Sequence, residues 1–148
     1  MKFIADGMLG KLARWLRLAG YDTLYFNIPN KIFLIRKAKE ENRIILTRDT
    51  KFFSQNKEIT VFIENEDFLN QLKEVKNKLN LDFNENKFFI RCSLCNIILG
   101  KKEKEEIKSL VPEYVFQTHE KFSQCSVCKR VYWEGDHWKK IKEVFSKI

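Results

Sequence analysis

Apolar and polar residues along the first 80 positions alternate between two periods. Met1-Lys-Phe-Ile-Ala-Asp6 is a short apolar run ending in a carboxylate. From Met8 to Ala19 the apolar residues Leu9, Leu12, Leu16 and Ala19 recur three or four apart, which predicts a helix. Gly20 is its stop, because glycine takes the left-handed conformation after a helix without steric cost. Tyr21–Phe26 reads as a second strand, so the chain opens on a βαβ unit with its first two strands parallel. A turn at Asn27–Asn30, a helix up to Glu41-Asn42 and a strand at Arg43–Thr47 follow. A helical turn at Lys51–Ser54, a uniformly apolar strand at Ile59–Ile63 and a helix from Glu66 or Asp67 to Leu79 complete the pattern. Strands alternating with helices predict an α/β fold with a parallel sheet, whose strands carry apolar residues for both faces.

The pattern breaks at residues 80–88, which hold three Asn and no helical period and read as a linker. Beyond it stand Cys92-Ser-Leu-Cys95, a charged stretch from Lys101 to Leu110 expected to be helical, Cys125-Ser-Val-Cys128, a β-rich Arg130–Trp133 and a closing basic helix from His137. Two domains are expected, 1–86 and 87–148.

The cysteines carry the strongest local signal. Two CxxC pairs are separated by the 29 residues Asn96–Gln124. Each pair can turn two thiolates toward one point, and two such knuckles build the tetrahedral S₄ site that Zn²⁺ favours. A segment of about 60 residues with few aliphatics needs such a staple. Cys92, Cys95, Cys125 and Cys128 are therefore the expected ligands of a structural zinc. Thioredoxin-like redox chemistry, the rival reading, uses one CxxC at a helix start. With four ligands available, neither histidine is needed: His119 reads as solvated and His137 as a packing or capping residue.

Asp6 and Asp49 both end apolar strands, where open α/β sheets place their ligands. Each is either a turn or capping residue or one of several carboxylates that gather a metal ion. Lys11, Arg14 and Arg17, three apart, form a basic stripe that is either a solvated helix face or a phosphate contact. There is no Walker loop and no GxGxxG, since Gly7-Met-Leu-Gly10 has the wrong spacing, so no nucleotide cofactor is expected.

Composition adds a few limits. Thirteen Phe and 44% apolar residues suffice for a packed core. No apolar run approaches a membrane span and the start does not read as a signal peptide, so a cytoplasmic protein is expected. The net charge of +8 is spread over both parts, with 15 Lys and Arg against 12 Asp and Glu in residues 1–86, and 13 against 8 in residues 87–148. Such a charge suits a polyanionic partner without requiring one.

Asp6-Gly-Met-Leu-Gly-Lys-Leu-Ala-Arg-Trp-Leu-Arg-Leu-Ala-Gly-Tyr-Asp22, Arg43-Ile-Ile-Leu-Thr-Arg-Asp49, the two CxxC pairs and Arg130-Val-Tyr-Trp-Glu-Gly-Asp-His-Trp138 together resemble the Mut-seven C-terminal (Mut7-C) RNase family. The resemblance spans nearly the whole chain. It implies a PIN-like nuclease domain followed by a zinc ribbon, and a Mg²⁺- or Mn²⁺-dependent ribonuclease that cleaves RNA, tRNA and rRNA among its candidate substrates. Asp6 and Asp49 match the acidic positions of the site, and Arg14, Arg17 and Arg48 match basic ones; with Lys11 these would seat the RNA backbone. Two positions depart from the pattern. Asn30-Lys31 stands where relatives carry an acid before the second helix, and Thr47-Arg-Asp-Thr-Lys51 replaces a second acid by a cation. Glu40, Glu41, Glu64 and Asp67 are the candidates for a further acid. The alternative reading is a non-catalytic RNA- or ribosome-binding module with a degenerate PIN-like site.

Overall fold

The computed structural model describes all 148 residues. Four parallel strands form the main sheet: β1 (Phe3–Asp6), β2 (Thr23–Phe26), β3 (Ile44–Thr47) and β4 (Thr60–Phe62), in the order β2-β1-β3-β4. Helices α1 (Gly10–Leu18), α2 (Ile32–Glu41), α3 (Thr50–Gln55) and α4 (Phe68–Leu79) connect or follow them. A 3₁₀ turn over Gly7–Leu9 joins β1 to α1. The fold class is as the apolar pattern predicts.

Side chains on a strand alternate between its faces, and here both faces are covered. Phe3 and Ala5 of β1 and Leu46 of β3 join Leu12, Leu16, Leu72 and Val75 in the core beneath α1 and α4. Ile4 and Ile45 point the other way, to Leu34, Ala38 and Phe52 on α2 and α3. The result is a three-layer α/β/α body. Gly20 ends the α1 segment with φ +96°, and a Cβ there would lie 2.5 Å from the Lys87 carbonyl oxygen, so glycine is required twice over.

The second unit holds a three-stranded antiparallel sheet of β5 (Gly100–Lys102), β6 (Phe122–Gln124) and β7 (Val131–Tyr132), ordered β5-β6-β7. Its small core is Ile107, Val115 and Phe122. The charged stretch expected to be one helix from Lys101 divides instead. Gly100–Lys102 pairs with Phe122–Gln124 as a strand, and only Lys104–Leu110 coils, as 3₁₀ turns. The pairing partner lies some twenty residues on, beyond the reach of local propensity. A short helix α5 (Glu113–Thr118) follows.

The last helix, α6 (Asp136–Ser146), packs back on the main body. Ile141 and Phe145 are buried in the same cluster as Phe3 and Leu12, not in the small core of the ribbon. Phe145 packs against Trp15, Phe83 and Phe88, with ring centroids 4.6–5.5 Å apart. The chain thus returns to the first body at its end, and the linker residue Phe88 is buried between them. No helix is long and apolar enough to cross a membrane.

Candidate functional site

Asp6 and Asp49 lie at the carboxyl edges of β1 and β3, which pair directly in the sheet. Each spends one oxygen locally. Asp6 Oδ1 accepts the Gly7 amide at 2.8 Å, and Asp49 Oδ1 caps α3 by accepting the Phe52 amide at 3.0 Å. Each turns its other oxygen to a common point, occupied by the ammonium of Lys31. Lys31 Nζ is 2.8 Å from Asp6 Oδ2 and 2.6 Å from Asp49 Oδ2. The Thr47 hydroxyl also donates to Asp6 Oδ2 at 2.8 Å and accepts the Asp49 amide at 3.0 Å, fixing the pair in register. The two readings of these aspartates, as caps and as a converging pair, therefore describe different oxygens of the same side chains.

Electrostatics follow from this geometry. Asp49 is held below the usual carboxylate range by its hydrogen bond from Lys31 and then by the Phe52 amide. Partial burial works against the Lys31 ammonium, but hydrogen bonds to Asp49 and Asp6 outweigh it and raise its pKa. Lys31 therefore stays charged. It brings a cation to the point on which both carboxylates converge.

No third carboxylate joins the pair. Glu41 is tied to Lys37 and Arg43 at the opposite edge of the sheet, and Glu40 beside it is exposed. Asp67 caps α4 through the Leu69 and Asn70 amides. Glu64 is exposed, and its backbone amide is bound by Glu74. Three or more metal-ligand side chains meet at one place only, the four cysteines.

The basic residues separate into three kinds. Lys11 and Arg14 are exposed on α1, with Lys11 Nζ 4.1 Å above the Phe68 ring. Arg48 reaches across the carboxyl edge of the sheet and donates to the carbonyls of Ile63 at 3.3 Å and Glu64 at 3.1 Å. Arg17 is a correction. It is only 8% exposed, and its guanidinium donates to the carbonyls of Thr23 (2.7 Å), Ser93 (3.1 Å) and Leu94 (3.2 Å). With Nε and one terminal nitrogen so engaged and the side chain buried, Arg17 is not presented to an RNA phosphate at the surface. It binds the first cysteine knuckle to the main body.

The four thiols form the second site. All four Sγ atoms lie within 4.8 Å of one another, and Cys92 Sγ is 3.7 Å from Cys128 Sγ. A tetrahedron with Zn–S bonds of about 2.3 Å has S···S edges of roughly 3.8 Å, so the donor set fits this ion. The two knuckles repeat one another. Asn96 and Lys129, each just after the second cysteine, have φ of 67° and 66°. Their amides donate to the carbonyls of Cys92 and Cys125 at 2.9 and 3.0 Å. The Cys95 and Cys128 amides point at Cys92 and Cys125 Sγ, both at 3.4 Å. Burial pushes the Cys92 thiol up, but the Tyr132 hydroxyl and the Cys95 and Leu94 amides outweigh this and bring it down to about 7. Such donors suit a thiolate. With four sulfurs in place the coordination sphere is closed, and any metal here is structural.

The first knuckle is docked by side chains as well. Asn96 Oδ1 accepts the Thr23 amide at 2.9 Å, and its Nδ2 donates to Asp22 Oδ1 at 2.7 Å. Asp22 also pairs with Arg43 at 2.8 Å. Sequence reasoning missed this network, in which Asn96 lies more than 70 residues from its partners Thr23 and Asp22.

The chain is thus a mixed α/β protein with a parallel four-stranded sheet, two aspartates at its carboxyl edge, and a four-cysteine cluster consistent with a zinc ribbon. The family model described as the Mut7-C RNAse domain matches residues 1–145, and the chain belongs to that family. Membership points to a ribonuclease-like function, with RNA as the substrate class. No curated protein and no solved structure matches the chain.

Proposed function

We propose that the protein hydrolyses RNA phosphodiester bonds at the carboxyl edge of its main sheet, with Asp6 and Asp49 as the central carboxylates. One observation carries this reading: the two Oδ2 atoms converge on a single cation, Lys31 Nζ, at 2.8 and 2.6 Å. Mg²⁺ is commonly held by only one or two carboxylates together with waters and substrate phosphate, so this pair fits a divalent ion that arrives with RNA. Asp6 and Asp49 would hold it, and when bound it supplies an activated water and offsets charge on the phosphate. Thr47 keeps Asp6 aimed. Lys11, Arg14 and Arg48 offer cations to the backbone phosphates, which carry affinity without sequence information. Lys31 competes with the ion for the carboxylates, and its own charge is then free for the phosphodiester.

The second reading is an RNA-binding module that does not cut. It is favoured by Lys31 itself, which already neutralises part of the pair, and by the lack of a third acid. Titration of Mn²⁺ against single-stranded and structured RNA separates the two. Under the first reading, Asp6→Asn and Asp49→Asn abolish cleavage, while Lys31→Ala lowers the Mn²⁺ concentration required. If the wild type and Lys31→Ala both bind RNA and neither cleaves it at any Mg²⁺ or Mn²⁺ concentration, the binding-module reading replaces the first.

A further inference from the structure

A cleft of about 610 Å³ runs between α1 of the main body and the ribbon, closed on its far side by α5, β7 and the start of α6. Volumes of roughly 300–1,000 Å³ are typical of ligand sites. Its lining combines two chemistries. Lys11 and Arg14 from α1, Arg130 just before β7 and Lys139 from α6 line it, four cations against the two carboxylates Glu134 and Asp136. Between them stand the aromatic rings of Tyr114, Trp133 and Trp138. Tyr114 is 69% exposed, and neither it nor Trp133 is paired with another ring, unlike Trp15 and Phe89, which also line the cleft. Trp138 is different, with Phe89 at 5.6 Å and the Lys142 ammonium 4.4 Å from its ring. Trp133 also packs against the small core of Ile107, Val115 and Phe122, whereas the exposed Tyr114 ring, bordered by cations, joins no core cluster.

We infer that this cleft binds unpaired bases of single-stranded RNA, with Tyr114 and Trp133 as stacking platforms and Arg14, Arg130 and Lys139 on the flanking phosphates. Positively charged grooves with stackable aromatic rings are how proteins hold single strands without reading sequence. A duplex hides its bases from such rings, and an acidic protein partner would have no use for them. The direction of the strand follows from α1. Lys11 lines the cleft and comes only five residues after Asp6, roughly 8–10 Å along the axis of the turn and helix. A strand held in the cleft is thereby led toward the carboxylate pair. This inference rests on the proposed action on RNA and adds where the strand lies.

The test is equilibrium binding by the full zinc-loaded chain, without added divalent cation, of labelled twelve-nucleotide oligo(U), oligo(A) and an abasic twelve-mer of equal charge. Stacking in the cleft requires both base-bearing strands to bind at least about tenfold more tightly than the abasic one. Tyr114→Ala, at an exposed position where the fold is indifferent, should weaken oligo(U) by at least about fivefold and leave the abasic strand unchanged. Trp133→Leu should act in the same sense. Arg130→Gln and Lys139→Gln should weaken all three strands alike and flatten the dependence on salt. Equal affinity for oligo(U) and the abasic strand overturns the inference, as does Tyr114→Ala and Trp133→Leu binding like wild type while Arg14→Ala is impaired. In those cases Mn²⁺-dependent cleavage can persist, and the proposed function stands without the cleft. If no strand binds at all, the action on RNA falls and the cleft falls with it.

Discussion

Arg17 gives the sharpest test of how the two units are held together. Arg17→Ala removes a buried guanidinium that donates to three carbonyls, one on β2 and two on the first cysteine knuckle. Burial lowers the pKa of this guanidinium, so its removal relieves some desolvation while leaving the carbonyls unmatched. Hydrogen bonds from a charged donor contribute about 1.5–3 kcal/mol each, and an orphaned buried acceptor costs about 1–3 kcal/mol. The Ser93 and Leu94 bonds share one nitrogen and cannot be counted in full. A net loss of about 2–4 kcal/mol is expected, which for a chain of this length lowers Tm by roughly 5–15 °C. Arg17→Lys should recover little, because a single ammonium cannot span both directions. Arg14→Ala, one turn earlier and exposed, should change stability by less than about 0.5 kcal/mol. The assay is thermal and urea unfolding of the three variants beside the salt dependence of RNA affinity. Arg14→Ala should reduce the salt slope by about one unit and Arg17→Ala should not. An Arg17→Ala protein as stable as wild type, or one that stays folded and loses a unit of salt slope, refutes the structural role.

Elemental analysis should find one zinc per chain, and its removal should strip hydrogen-exchange protection from residues 92–132 while the main sheet stays protected; no bound metal in freshly purified protein would refute this. Phe145→Ala should cost about 3–5 kcal/mol and lower the unfolding midpoint of the main body, because Phe145 is 6% exposed in that core; a loss confined to the ribbon would contradict the packing. Glu74 accepts the Glu64 and Asn65 amides and pairs with Lys78. Burial raises its pKa, but these bonds outweigh burial and hold it at about 2 against an ordinary 4.5. A carboxyl depressed on folding stabilises fully above its unfolded value and loses that contribution as pH falls from about 4.5 to about 2. Glu74→Gln should thus flatten the loss of stability over that window, and an unchanged acid profile would remove Glu74 from it.

Much of this arrangement was legible in the chain. The strands and helices of the main body follow the apolar period because both faces of the sheet are covered, and each β residue carries that demand locally. The cysteine site was legible from spacing alone, since CxxC turns both thiols to one side whatever surrounds it. Arg14 and Arg17 were not separable. Both sit on one basic stripe, and what buries Arg17 arrives from residues 93 and 94. The last helix read only as a closing basic helix, and that Ile141 and Phe145 enter the core of the main body depends on partners far away in the chain. Gly-Lys-Lys at 100–102 bears no strand signal, because an edge strand is fixed by its neighbour. Lys31 was visible as a cation at an acidic position; that it spans both carboxylates follows only from the register of β1 with β3.

These residues place three functions on one helix. The turn before α1 carries the Asp6 backbone contact, its exposed side presents Lys11 and Arg14 to the cleft, and its last turn inserts Arg17 into the first cysteine knuckle. A helix of nine residues with its core face fully buried does not bend at such short length, so displacement at one end is transmitted to the other. The four-cysteine site lies far from the carboxylates in sequence and takes no part in their chemistry. Yet it holds the wall of the cleft that carries Arg130 and Trp133, and Arg17 and Asn96 hold that wall to β2 and α1. Under the proposed function, zinc thereby sets where a bound strand runs relative to Asp6 and Asp49, while the acid pair itself depends only on β1, β3 and Thr47. Hydrolysis and strand placement are then separable properties of one chain, joined through the buried end of α1.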